Sequence, residues 1–256
     1  MATSSNMSTT GLLFRRAGEM GLEPEWLVRN GLFAVTINGK EQFINFERSP
    51  FNSHIGISLS GNKYLTRLIL KRNGLPNIPF CKPRNIQKAE EFLAIHGKII
   101  AKPLRGSGSR DINIVTNKAQ LSSLEITKYI LEKYIAGIEL RYLVLEGKVI
   151  AVHQSIYGQS VEASRTLERV SFEEIQWDAE RVEMSLAVAK LLGLKFVAVD
   201  YLITPQGESY ILEVGSAPGF KWFHAPSSGP SIDIAKLFLE AYITNSGSPV
   251  VEGVTT

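Results

Sequence analysis

Two runs rich in β-branched and aromatic residues stand out in the last third of the chain. They are Phe196-Val197-Ala198-Val199-Asp200-Tyr201-Leu202-Ile203 and Glu208-Ser209-Tyr210-Ile211-Leu212-Glu213-Val214. Between them Pro205 presets one backbone angle and Gly207 permits an unusual one, so the pattern predicts a hairpin. With Gln206-Gly207 at its centre, Asp200 lies opposite Glu213 and Ala198 opposite Gly215. Both carboxylates then share one face. Cross-strand neighbours have Cβ atoms about 4.5–5.5 Å apart, and like charges at that distance repel. Either a cation sits between the two acids, or they lie on a sheet edge facing water. A hard cation such as Mg²⁺, which uses one or two carboxylates plus substrate phosphates, meets the first condition.

The same reading extends along the chain. Gly31 to Ile37 and Lys40 to Phe46 flank Asn38-Gly39, which supplies the positive φ angles of a tight turn and predicts a second hairpin in a small N-terminal module. Met1 to Thr10, rich in Ser and Thr, reads as disordered, and 50–60 as a connector without periodicity. A helix is expected over Asn62 to Asn73, with Leu65, Leu68 and Ile69 on its apolar stripe and Gly74 as its stop. Further helices are expected over Gln87 to His96, about Asp178 to Leu192 and Ser231 to Tyr242. Strands are expected over Lys98 to Pro103, Ile112 to Val115 and Lys128 to Ile135. Glu139 to Leu145 and Lys148 to Ser155 form a third hairpin around Glu146-Gly147, and Tyr157 to Glu173 reads as a mobile loop.

Composition narrows the function less than the pattern does. Of 256 residues, 44% are hydrophobic and 21% charged, which is ordinary for a globular chain. A net charge of +3 with no clustered Lys and Arg gives no nucleic-acid footprint. No apolar run reaches the roughly 20 residues of a membrane helix, and the N-terminus lacks the blocks of a signal peptide, so the expected location is cytoplasmic. The one cysteine, Cys81, excludes an intrachain disulfide and reads as a packed thiol. The four histidines, His54, His96, His153 and His224, are scattered. No Gly-x-Ser-x-Gly or His-Glu-x-x-His pattern is present, which removes support for the common hydrolase and zinc-enzyme classes.

Several cations and acids remain as candidates. Lys63 lies in the first turn of a helix, where a cation opposes the dipole unless an anion joins it. Lys102 ends an apolar strand that empties into Arg105-Gly106-Ser107-Gly108-Ser109-Arg110, a loop able to turn several N–H groups toward a phosphate. It is not a P-loop, because the Gly-Lys-Ser/Thr ending is missing, and a flexible glycine-serine turn would look the same. Glu139 and Arg141, two apart on a strand, share a face, as would an exposed salt-bridge pair. Arg165 and Arg169 could reach a ligand from the loop that follows.

Taken in order, these residues resemble the ATP-grasp superfamily. The series is a helix-start lysine, a strand-end lysine with its glycine loop, Glu132-Lys133-Tyr134-Ile135 with Glu139 seven residues on, Arg141, Asp200, and Glu213-Val214-Gly215-Ser216-Ala217-Pro218-Gly219. Within that superfamily the chain is most similar to the branch holding cyanophycin synthetase, glutathione synthetase and the ribosomal-protein glutamate ligases, over roughly Ser58 to Ile243. The resemblance implies an α+β fold in which two subdomains, 58–131 and 132–244, clasp ATP. A short module, 1–57, precedes them and a flexible tail, 245–256, follows. It implies that Lys63, Lys102 and the loop Gly106, Ser107, Gly108 and Ser109 contact phosphates, with Glu132 at the adenine amino group. Lys133, Tyr134 and Ile135 would line the base, Glu139 would hold the ribose, and Arg141 would face the phosphates or an acyl-phosphate. Asp200 and Glu213 would bind Mg²⁺, or Mn²⁺ in its place. The implied reaction is ATP-dependent ligation of a carboxylate on an amino acid or peptide to an amine, with Arg141 and Lys102 as the catalytic cations. A nucleotide-binding module without turnover is the alternative. Relatives usually carry asparagine where Gly215 stands, so this chain lacks one oxygen ligand. The short N-terminal module leaves the acceptor to be held by a second copy or a partner subunit, or to be a large peptide.

Overall fold

The computed structural model describes residues 7–106, 111–157 and 167–246. The first helix, α1 (Thr9–Glu19), starts inside the stretch expected to be disordered, because Ser8 Oγ accepts the Gly11 N–H at 3.0 Å and so caps it. Strands β1 (Glu25–Val28), β2 (Leu32–Ile37) and β3 (Lys40–Asn45) form an antiparallel sheet in that order. Asn38 and Gly39, at φ 53° and 73°, make the predicted turn. The expected connector at 50–60 contains α2 (His54–Ser60), capped by Ser53, and α3 (Lys63–Arg72) follows, capped by Asn62.

Next come β4 (Phe80–Cys81), α4 (Ile86–His96), β5 (Ile99–Pro103), β6 (Asn113–Val115), α5 (Lys118–Ser122) and β7 (Tyr129–Lys133). They build a four-stranded sheet, β4-β7-β5-β6, with its own core of Ala89, Leu93, Ile99, Ala101, Val115, Leu121 and Leu131. The remaining elements are β8 (Ile138–Leu145), β9 (Lys148–Tyr157), β10 (Leu167–Ser171), α6 (Ala179–Leu192), β11 (Phe196–Ile203), β12 (Ser209–Gly215), α7 (Lys221–His224) and α8 (Ile234–Ser246). Their five-stranded sheet runs β10-β9-β8-β11-β12. Part of the expected loop is therefore an edge strand. Leu167 to Ser171 is too short and too charged to stand out, and pairing with β9 is what orders it. Arg169 lies on that strand, whereas Arg165 is outside the described residues.

The two sheets divide the chain differently from the boundaries read from sequence. Strand β7 carries Glu132 and Lys133 in the four-stranded sheet, so the break falls after Lys133, not at Leu131. Leu70, Ile57 and Ile69 of α2 and α3 pack with α6 on one face of the five-stranded sheet, against Tyr142, Val197, Val199 and Tyr201. On the other face, Leu12, Leu13, Phe33, Val35 and Ile44 share a core with Leu143, Phe196, Ala198, Phe220 and Phe238. The N-terminal module is thus part of the larger sheet's core. Apolar side chains from both segments bury more surface on that sheet than they could by themselves. Among the described residues no helix is long and apolar enough to cross a membrane.

Helix α2 meets α6 so closely that a Cβ added to Gly56 would lie 2.0 Å from the Leu192 carbonyl oxygen. Gly56→Ala is expected to destabilise the fold by about 1–3 kcal/mol through overpacking, read as a lower denaturant midpoint with an unchanged slope.

Candidate active site

One row of side chains crosses the larger sheet. Strand pairing sets Glu213 opposite Asp200, Asp200 opposite Arg141, Arg141 opposite His153, and His153 opposite Ser171. Cross-strand partners point to the same face, so these five residues share it. The Asp200–Glu213 pairing agrees with the sequence reading for two compensating reasons. The turn is one residue longer than expected, closing with the Thr204 N–H on the Glu208 carbonyl, and Leu212 is an extra residue in β12 that restores the register beyond Tyr201. The bulge also explains why Ile211 and Val214, three apart, are buried in the same core.

The positive charge that two facing acids require is supplied first by side chains. Arg141 forks Asp200, Nε to Oδ1 and Nη2 to Oδ2, both at 2.7 Å, and its Nη1 donates to the Gly219 carbonyl at 3.3 Å. Burial disfavours the guanidinium charge, but Asp200, then Glu213 and Glu139, raise its pKa further above the ordinary arginine value. Arg141 therefore holds the Asp200 carboxylate, where the resemblance placed it at phosphate. His153 is 2% exposed, and burial followed by Arg141 and Arg169 lowers its pKa well below the usual histidine range. It stands neutral in the row. Gly215 continues the same face opposite Ala198, and a Cβ built there meets nothing within 4 Å.

From across the cleft, Lys63 Nζ donates to the Gly106 carbonyl at 2.7 Å and lies 3.8 Å from Glu213 Oε1. This brings the start of the glycine-rich loop to the acid face. Ser107, Gly108 and Ser109 lie outside the described residues. Lys102 and Glu132 meet differently from the expectation. Glu132 is 1% exposed and takes Lys102 Nζ at 2.7 Å on one oxygen and Arg67 Nε at 2.7 Å on the other. Burial would raise the Glu132 pKa, yet Arg67 and Lys102 bring it down to about 2. It is an internal counter-ion with no exposed edge for a base. The Lys133 N–H is taken by the Pro79 carbonyl at 2.9 Å, and the Tyr134 ring lies beneath Lys98 Nζ at 3.7 Å. Ile135 is half-buried after β7, and Glu139 lies on the Arg141 face opposite Leu202.

Arg67 escaped the sequence reading. An arginine inside a helix normally marks the solvent side, and the expected stripe was Leu65, Leu68 and Ile69. The helix instead buries Thr66, Arg67 and Leu70, and leaves Leu68 39% exposed. The available signal was Thr66-Arg67 one turn after Lys63, a polar pair where the apolar period is imperfect. His224 has a structural role, since its Nε2 accepts the Ala235 N–H at 3.1 Å near the start of α8.

A narrow cleft with about 10 Å³ of free space lies among Lys63, Thr66, Arg67, Glu132, Leu212 and Glu213. Ligand sites usually measure about 300–1,000 Å³, so a nucleotide enters only as these side chains rearrange. No group of three or more metal-ligating residues occurs among the described residues. Two hard oxygen donors on one face, one of them on a side chain 45% exposed, still suit a cation that completes its shell with water and phosphate.

The buried Glu132 gives a pH signature. Its folded-state pKa lies below the ordinary 4.5, so its stabilisation is complete above that value and fades as the pH falls toward about 2. Glu132→Gln should cost about 3–5 kcal/mol at neutral pH, because it leaves two buried cations short of a partner. Denaturant midpoints measured against pH should show the gap from the parent narrowing across that acid range.

The chain is similar to several known ligases. The probable alpha-L-glutamate ligase of Methanococcoides burtonii is 26% identical over 229 residues, covering 84% of this chain and 74% of that protein. The tetrahydromethanopterin:alpha-L-glutamate ligase of Methanocaldococcus jannaschii is 25% identical, covering 79% and 72%. Among solved structures, the ATP-grasp ligase PsnB with its minimal precursor superposes with a TM-score of 0.64 at 20% identity, over 77% of this chain and 64% of that one. A bifunctional glutathione synthetase from Pasteurella multocida gives 0.70 at 14% identity, over 94% and 45%. The chain thus spans less than two thirds of either solved chain. Residues 60–218, more than half of the chain, match the ATP-grasp domain, and the chain belongs to that family.

Proposed function

We propose that this chain is an ATP-dependent carboxylate-amine ligase acting on an amino acid or peptide. The observation that carries the reading is the place of Lys63, which joins Gly106 at the head of the glycine-rich loop to Glu213 on the acid face. A polyphosphate lying there meets lysine charge and carboxylates that can share a cation. Mg²⁺, or Mn²⁺ in its place, would be held by Asp200 and Glu213, and would supply charge neutralisation between phosphate oxygens. In the reaction a carboxylate takes the γ-phosphoryl group, and an amine then displaces phosphate from the acyl-phosphate, leaving ADP and an amide. The protein's part is alignment and charge. Lys63 and Lys102 offset phosphate charge, while Arg141, released in part from Asp200, faces the developing anion beside Gly219. Glu139, two residues away on the same face, suits a ribose hydroxyl. The expected setting is the cytoplasm, with a second copy or partner subunit completing the acceptor site.

Gly215 favours a second reading, a nucleotide-binding module with little turnover, because the acid face lacks a third oxygen there. Phosphate release by the full chain with ATP, Mg²⁺ and pooled amino acids and dipeptides separates the two. Release stimulated by one pool supports the ligase, and nucleotide binding with no stimulated release in any pool supports the module. Since the space beside Gly215 is open, Gly215→Asn should fold normally and bind Mn²⁺ more tightly in the presence of ATP. Titration followed by electron paramagnetic resonance measures this, and an unchanged affinity would remove Gly215 from the metal shell.

A further inference from the structure

The five-stranded sheet places Glu213 on the Asp200 face only because Leu212 is an extra residue in β12. Without that bulge, period-2 alternation would carry Glu213 to the side of Ile211, into the core against Val199 and Tyr201. Something must hold the two carbonyls at the irregularity, since a bulge interrupts the strand ladder. Arg67 does so from α3. Its Nη1 donates to the Ile211 carbonyl at 2.5 Å and its Nη2 to the Leu212 carbonyl at 2.8 Å. The Nε of the same guanidinium binds Glu132 at 2.7 Å, and Glu132 in turn holds Lys102. Asn77 fixes the group from the side, accepting from Nη1 at 3.1 Å and donating to the Arg67 carbonyl at 2.8 Å. Arg67 is 3% exposed. One planar cation therefore touches the four-stranded sheet through Glu132 and the five-stranded sheet through the bulge next to Glu213.

We propose that Arg67 is a positioning residue that locks the Leu212 bulge, so that Glu213 stays on the metal face in fixed relation to Lys102. The proposal rests on the reading of Asp200 and Glu213 as carboxylates for a divalent cation. Only a fork serves: lysine retains the charge beside Glu132, but its single ammonium lacks the spread of donors that reaches two successive carbonyls and a carboxylate together.

The test uses the full chain with Arg67→Lys, with Mn²⁺ as the metal probe and a fluorescent ATP analogue in EDTA as the metal-free probe. Mn²⁺ binding in the presence of ATP should weaken by about 10–100-fold, the usual loss when a group supporting a metal ligand is removed. Analogue binding in EDTA and a cooperative thermal melt should persist. A folded Arg67→Lys protein with parental Mn²⁺ affinity overturns the proposal, and so does an equal loss of metal-free nucleotide binding. If Arg67→Lys does not fold, the same titrations on Asn77→Ala decide, with a selective loss of Mn²⁺ affinity expected and no loss counting against it. Glu213→Gln serves as the control. If it leaves Mn²⁺ binding unchanged, the metal reading fails and this proposal with it. If it weakens binding while Arg67→Lys does not, only the role of Arg67 fails.

Discussion

A guanidinium removed from water has to find a partner for each donor it points inward, and Arg67 shows how much structure that requirement can organise. Its neighbours are a carboxylate from one sheet, two strand carbonyls from the other and an amide from the segment between them. Leaving any of these unmade strands a charge or a carbonyl in an apolar interior. The helix that carries Arg67 cannot slide along the sheet without breaking several bonds together. That helix also begins with Lys63, so the same constraint fixes where a lysine meets the glycine-rich loop.

Charge balance extends from this point across the site. Glu132 is matched by Arg67 and Lys102, Asp200 by Arg141, and Glu213 by Lys63. Each pair joins residues distant in sequence. The acids are paired with side-chain cations, and the cleft is narrow. Under the proposed function, a triphosphate with a divalent ion would exchange these partners, the ion taking carboxylate oxygens and phosphate the freed cations. Such an exchange conserves charge, which keeps the penalty of opening a partly buried ionic site small. The neutral His153 continues the row beside Arg141 without adding a further cation.

Much of the fold could be read from local pattern. Asn38-Gly39 and Glu146-Gly147 dictate their hairpins through positive φ angles, and the amphipathic helices begin at Asn62, Asn85 and Asp178, each capping its own N–H groups. The edge strand Leu167 to Ser171 and helix α2 were not legible, since both depend on a surface to lie against. The placement of α2 and α3 on the larger sheet, and of the N-terminal module in its core, follows from which apolar faces meet. Periodicity gives the face and leaves its partner open.

For the site, the sequence by itself determined which chemistry is present: two acids opposite one another across a hairpin, two lysines at element ends and a glycine-rich loop between strands. Backbone geometry and residue type suffice for that, since turn residues and alternation act over a few positions. Only the tertiary structure decided which charge meets which. Arg141 on Asp200, Lys102 on Glu132 and Arg67 beneath the bulge are contacts between segments tens of residues apart, and they are set by desolvation. A buried charge takes the partner that packing brings within reach, and packing depends on the whole chain.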